Sequence, residues 1–93
     1  MELILALIEL HIPGCQSLKE KRRTVKGLID RLRAKYNISV AEVDFQGKWQ
    51  RSKIGVAWIS ADGKGAETRY QEIMKVIDGR PEIQIIGVEK SCL

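Results

Sequence analysis

Two cysteines, two prolines, one histidine, one phenylalanine, two tyrosines and two tryptophans are all that 93 residues contain of those types. Cys15 and Cys92 are too few and too irregularly placed for a disulfide framework or a CxxC metal knuckle, and such usage fits a reducing cytoplasm. Long apolar runs are also missing. Met1 to Leu10 falls well short of the about 20 residues needed to span a bilayer, and it carries neither the basic leader nor the small-residue cleavage site of a secretory signal. No membrane partner is expected. What remains is 44% hydrophobic and 30% charged, the balance of a packed globular chain, and the length suits one domain over residues 1–93.

Glu2 to Ile12 is apolar on both alternating faces, as a central strand should be, and Ile12-Pro13-Gly14 ends it. Ser17-Leu18-Lys19-Glu20 has the spacing of a capping box, so a helix starts there. Leu18, Val25, Leu28, Ile29, Leu32 and Tyr36 form its buried stripe at steps of three and four, and Asn37 closes it. Ile38 to Phe45, rich in β-branched residues, reads as a strand near a sheet edge, with Glu42 and Asp44 on its solvent side. Gln46 to Ser52 is a hairpin loop, Lys53 to Ser60 the returning strand and Asp62 to Gly65 a turn. Ala66 to Ile77 has helical spacing and ends at Asp78-Gly79, where a left-handed glycine is expected. Glu82 to Lys90 is the last strand. The order βαββαβ predicts an α+β, ferredoxin-like two-layer sandwich: a four-stranded antiparallel sheet with two helices on one face.

The net charge of +4 is unevenly spread. Residues 17–35 hold eight cations against Glu20 and Asp30, a local balance of +6, so the rest of the chain carries −2. Lys19, Lys21, Arg22 and Arg23 crowd the first turns of the helix, where the macrodipole disfavours a cation by roughly 0.3–1 kcal/mol each. Stability alone does not select that arrangement. Cations gathered at a helix N-terminus suit phosphate, and a row of such contacts would bind RNA with steep salt dependence. The plain alternative is a solvated face.

In the hairpin, Lys48, Trp49, Arg51 and Lys53 set an aromatic ring among cations, a mixture that stacks on an unpaired base while holding its backbone. Trp49 could instead fold back over the core edge, and residue tendencies tilt that way. Lys53-Ile54-Gly55-Val56-Ala57-Trp58 lacks the Lys/Arg-Gly-Phe pattern of an RNA-recognition motif. The uncovered side of the sheet is a separate matter. With both faces of strands one and three largely apolar, self-association through that open face is expected, unless Glu9, His11 and Lys53 shield it.

Catalytic constellations are weak. His11 has no paired nucleophile, Glu42 and Asp44 read as a solvent side, and Cys15 fits a buried loop thiol. Gly63-Lys64-Gly65 lacks the spacing of a phosphate loop. Cys15 and Cys92 sit at opposite ends of the topology, beyond the about 7 Å that a disulfide bridges.

The run Ser17-Leu18-Lys19-Glu20-Lys21-Arg22, then Arg31-Leu32-Arg33, Asn37-Ile38-Ser39-Val40-Ala41-Glu42-Val43 and Trp49-Gln50-Arg51, closely resembles the YlxP-like family of small bacterial proteins of unassigned function. The resemblance covers nearly the whole chain, is strongest from Ser17 to Gly55, and implies the same ferredoxin-like architecture. It also implies a ribosome-linked role, because genes of that family often lie in a translation operon near those for initiation factor two and ribosome-binding factor A. It supplies no catalytic residues, and it gives no role to Cys15 or Cys92.

These readings predict a non-catalytic cytoplasmic protein without cofactor or metal. It would bind RNA or a ribosomal particle through Lys19, Lys21, Arg22, Arg23 and Lys26 of the first helix and Lys48, Trp49 and Arg51 of the hairpin, and would form a homo-oligomer through the open sheet face. The rival is an oligomeric protein-interaction or small-ligand regulatory module in which the apolar face matters and the basic helix is incidental.

Overall fold

In the computed structural model, which describes residues 1–93, the chain runs β1 (Glu2–His11), α1 (Leu18–Lys35), β2 (Ser39–Asp44), β3 (Arg51–Ser60), α2 (Gly63–Asp78) and β4 (Gln84–Cys92). The sheet order is β2-β3-β1-β4, with β1 antiparallel to both β3 and β4 and β2 antiparallel to β3. This is the ferredoxin-like α+β sandwich that the alternation of periods anticipated.

Register explains the two faces. Ile4, Ala6, Ile8 and Leu10 of β1 sit opposite Trp58, Val56, Ile54 and Ser52 of β3, and all eight are buried. Val25, Leu28 and Leu32 of α1 and Ala66, Ile73 and Ile77 of α2 join them in one core. Burying an aliphatic side chain of this kind contributes about 1.5–3 kcal/mol. The intervening residues Leu3, Leu5 and Leu7 point to the other side, where no helix lies, and stay half-buried.

Local boundaries differ from the sequence reading for identifiable reasons. Asp62 caps α2, its carboxylate accepting from the Gly65 amide at 2.7 Å, so the helix starts at Gly63 and absorbs the expected turn. Gly79 ends it in the right-handed region, φ −72°, with its amide donating to the Lys75 carbonyl at 3.0 Å; the left-handed glycine expected there does not occur. Tyr36, in extended conformation, closes α1 one residue before Asn37. A bulge between Glu42 and Asp44 shifts the β2 register. Glu42, in phase with buried Val40, faces inward, and the bulge takes Asp44 off that face, against the expectation that Glu42 and Asp44 share a solvent side.

At the β4 edge, Lys90 donates to Glu67 of α2 at 2.7 Å and lies 4.3 Å from the Tyr70 ring centroid. That hydrogen bond holds the Glu67 carboxyl below its usual range. A depressed carboxyl contributes its stabilisation above its unfolded value and loses it as pH falls through the folded one.

Both cysteines are free. Cys92 pairs across from Ile4 near one end of β1, while Cys15 follows the other end. Burial pushes the Cys15 thiol up, Glu20 adds to this, and Lys21 partly offsets it. The Cys92 thiol donates to Glu2 at 2.6 Å, which raises it too. At neutral pH a disulfide-exchange reagent should therefore label Cys92 more slowly than a free thiol and Cys15 only on unfolding. Rapid modification of Cys15 in the native protein would contradict this placement.

Candidate nucleic-acid interface

At 100° per residue, Lys19, Arg22, Arg23 and Lys26 fall within an arc of about 100° on α1, and all four are exposed. Ser17 starts this helix: its hydroxyl accepts from the Glu20 amide at 3.1 Å, and Glu20 accepts in turn from the Gln16 amide at 3.2 Å. Lys19, Arg22 and Arg23 have no acidic partner. Lys26 pairs with Asp30 at 2.6 Å, a solvent-exposed i,i+4 contact worth only about 0.3–0.5 kcal/mol, so its ammonium remains available.

Lys21 does not belong to this surface. It lies about 200° from Lys19 on the helical wheel, within the buried arc of Val25, Leu28 and Leu32, and its side chain is wholly inaccessible. Its ammonium donates to Glu42 Oε2 at 2.9 Å, to the Phe45 carbonyl at 2.8 Å and to the Arg51 carbonyl at 3.3 Å, with a longer contact to the Gln46 carbonyl at 3.4 Å. Glu42 also accepts from the Ser52 hydroxyl at 2.6 Å. Counting Lys21 among the RNA contacts is therefore corrected: no polyanion can reach it. The sequence did carry the signal, because a gap of seven residues between Leu18 and Val25 leaves position 21 at the centre of the apolar stripe.

What Lys21 does is fix the hairpin. The loop from Phe45 to Gln50 is held from one side by those carbonyl contacts. From the other side, Gln50 donates to the Cys15 carbonyl at 3.0 Å and accepts from the Ile12 amide at 2.8 Å. Phe45 is the one residue with positive φ, 63°, a conformation costing a non-glycine residue about 1–3 kcal/mol unless its surroundings impose it. Here they do: Asp44 accepts from the Phe45 amide at 2.7 Å, Lys21 and the Lys48 amide donate to its carbonyl, and the Arg51 guanidinium lies 4.1 Å from its ring centroid.

Trp49 is thereby left 54% exposed at the loop tip, so it does not fold back over the core edge. With His11, Lys48, Gln50 and Arg51 it lines an open depression of about 360 Å³. Arg51 is ion-paired to Glu9, and His11 Nδ1 meets Gln84 Oε1 at 3.1 Å. A second groove of about 410 Å³ runs between α1 and the β2 edge, where Arg22, Lys26 and Arg33 look across at Ala41 and Glu42. Arg33 donates to the Val40 carbonyl at 2.7 Å and so occupies an acceptor of that edge strand. Phe45, Gln50 and His11 were not singled out as contributors from sequence.

No group of three or more His, Cys, Asp or Glu side chains is gathered closely enough to hold a metal ion, and no helix is long and apolar enough to cross a membrane. The class defined by these features is a ferredoxin-like domain with a cationic first helix and a pinned, aromatic-tipped hairpin. The chain belongs to the family described as "Protein of unknown function (DUF503)", which it matches over residues 3–90. It is similar to the "Uncharacterized protein YlxP" of Bacillus subtilis (strain 168), with 38% identity over 68 residues, 73% of this chain and 74% of that protein.

Proposed function

We propose that this is a non-catalytic cytoplasmic protein that binds structured RNA, as found on a ribosomal particle, through the α1 cations and the hairpin tip. One observation carries this reading: Lys19, Arg22 and Arg23 stand exposed and without an acidic partner where the helix field opposes them. Phosphate oxygens would relieve that repulsion and release counterions. The exposed Trp49 ring, flanked by Lys48 and Arg51, offers a stacking platform for a base not engaged in a duplex.

The test is a filter-binding titration with ribosomal RNA fragments containing single-stranded loops. Trp49→Ala is expected to weaken binding by about 5- to 150-fold, the 1–3 kcal/mol of one stacked base, while leaving the salt slope unchanged. Equal affinity for the variant and the parent would remove the hairpin from the site.

A second reading is supported by the open sheet face, where Leu3, Leu5 and Leu7 lie beside Ile59, 70% exposed, and Val43, 48% exposed. A second copy of this chain presents the same apolar ridge, so a two-fold pairing would cover both at once. In sedimentation equilibrium the parent is expected as a dimer and Leu5→Lys as a monomer; a monomeric parent would exclude this pairing.

A further inference from the structure

We infer that the groove between α1 and α2, on the outer side of the helical layer, is a binding site for linked phosphates, either inorganic triphosphate or the phosphate chain of a nucleoside triphosphate. This depression has a volume of about 640 Å³. That lies within the about 300–1,000 Å³ usual for small-ligand sites. Arg31 and Lys35 of α1 face Lys75 of α2 and Arg80 just beyond it, with Glu72 the one acid in the lining. Arg31, Lys35 and Lys75 have no ion-pair partner, and Arg80 uses Nε on Glu82 at 3.2 Å. Like charges four apart on one helix repel, and neither Arg31 nor Lys35 has an acid beside it to offset this.

Two further features show the groove shaped around its cations. Gly27 lies in the middle of α1, where glycine is less favourable to the helix than alanine. A β-carbon there would stand 3.3 Å from Arg80 Nη2, so that guanidinium lies close against α1 and would have to shift slightly to admit one. On the opposite wall, the Tyr36 ring has the Arg69 guanidinium 4.8 Å and the Lys35 ammonium 5.7 Å from its centroid. Arg69 Nε is buried there without a hydrogen-bond partner. Because the aromatic wall is already engaged by cations, the groove offers no free ring for a base, and what it recognises is the anion. Four cations against one carboxylate leave a surplus suited to two or three linked phosphates rather than one.

This site is separate from the proposed RNA surface, since at 100° per residue Arg31 and Lys35 lie about 140° and 180° round α1 from Lys26, the nearest cation of that arc along the chain. Isothermal titration of the full chain with inorganic triphosphate, and in a parallel arm with ATP, tests it. Saturable binding of both is expected with similar affinity, because the chain and not the base is held. Arg31→Glu combined with Lys75→Glu should weaken both by about tenfold or more, whereas Lys19→Glu, Arg22→Glu and Arg23→Glu together should leave them unchanged. Gly27→Ala, which favours the helix, should retain or raise thermal stability while lowering triphosphate affinity a few-fold. Absence of saturable binding to the parent, or equal loss from reversal at either end of α1, would overturn the assignment.

Discussion

Lys21→Met is expected to lower stability by about 3–5 kcal/mol, because it strands the Glu42 carboxylate in a part-buried position and removes a donor from the Phe45, Gln46 and Arg51 carbonyls. For a chain of this size that corresponds to a fall in Tm of about 12 °C or more. The penalty belongs to the broken cluster rather than to missing charge. Replacing its three side chains together, Lys21→Met with Glu42→Leu and Ser52→Ala, should therefore recover much of the loss, since an apolar core of similar volume is often as stable as a buried ion pair. Thermal unfolding followed by circular dichroism checks both. A single variant within a degree or two of the parent would show that the hairpin does not depend on this pin.

The second large effect concerns binding. Lys19→Glu, Arg22→Glu and Arg23→Glu together are expected to weaken RNA binding by about a hundredfold or more at low salt and to reduce the slope of log affinity against log salt by about three, one unit for each lost phosphate contact. The same changes place acids at a helix N-terminus, which the macrodipole favours, so stability should be preserved or raised. A protein that is no less stable yet no longer binds would separate function from folding. Loss of both together would mean that the basic arc has a structural part.

Most of the architecture was legible because period and capping agree. Alternation in β1 and β3, the Ser17 cap and the apolar stripe of α1 each specify the same two-layer answer, and the observed register pairs those residues as expected. The site was legible only in part. Lys21 was counted by residue type among the RNA-contacting cations, although its wheel position sets it among Val25, Leu28 and Leu32; position was the better guide, and the partner Glu42 explains how a lysine can occupy it. Glu42 was misplaced by residue type too, since plain alternation sets it on the face of buried Val40; the bulge beyond it, one extra residue in β2, changes the face of Asp44 instead, and no local pattern marks that insertion.

Trp49 illustrates the opposite case. Large aromatics tend inward, and the tendency fails here because tertiary contacts from Lys21 and Gln50 fix the loop in a shape that points its tip away from the core. Neither contact is local, since Lys21 and Arg51 lie thirty residues apart, so a window read along the chain could not supply them. The groove between the helices has the same character: in the sequence Arg31 and Lys35 only add to the charge of residues 17–35, and it is the fold that sets Lys75 and Arg80 opposite them.

Co-sedimentation of the protein with ribosomal particles across a salt series is the most direct measurement of the central claim, that exposed cations on α1 hold a ribosomal polyanion. The account predicts that the parent pellets with particles at low salt, leaves them as salt rises, and fails to pellet at any salt when Lys19, Arg22 and Arg23 are reversed. A parent that never associates, or a reversed variant that associates as the parent does, would contradict it.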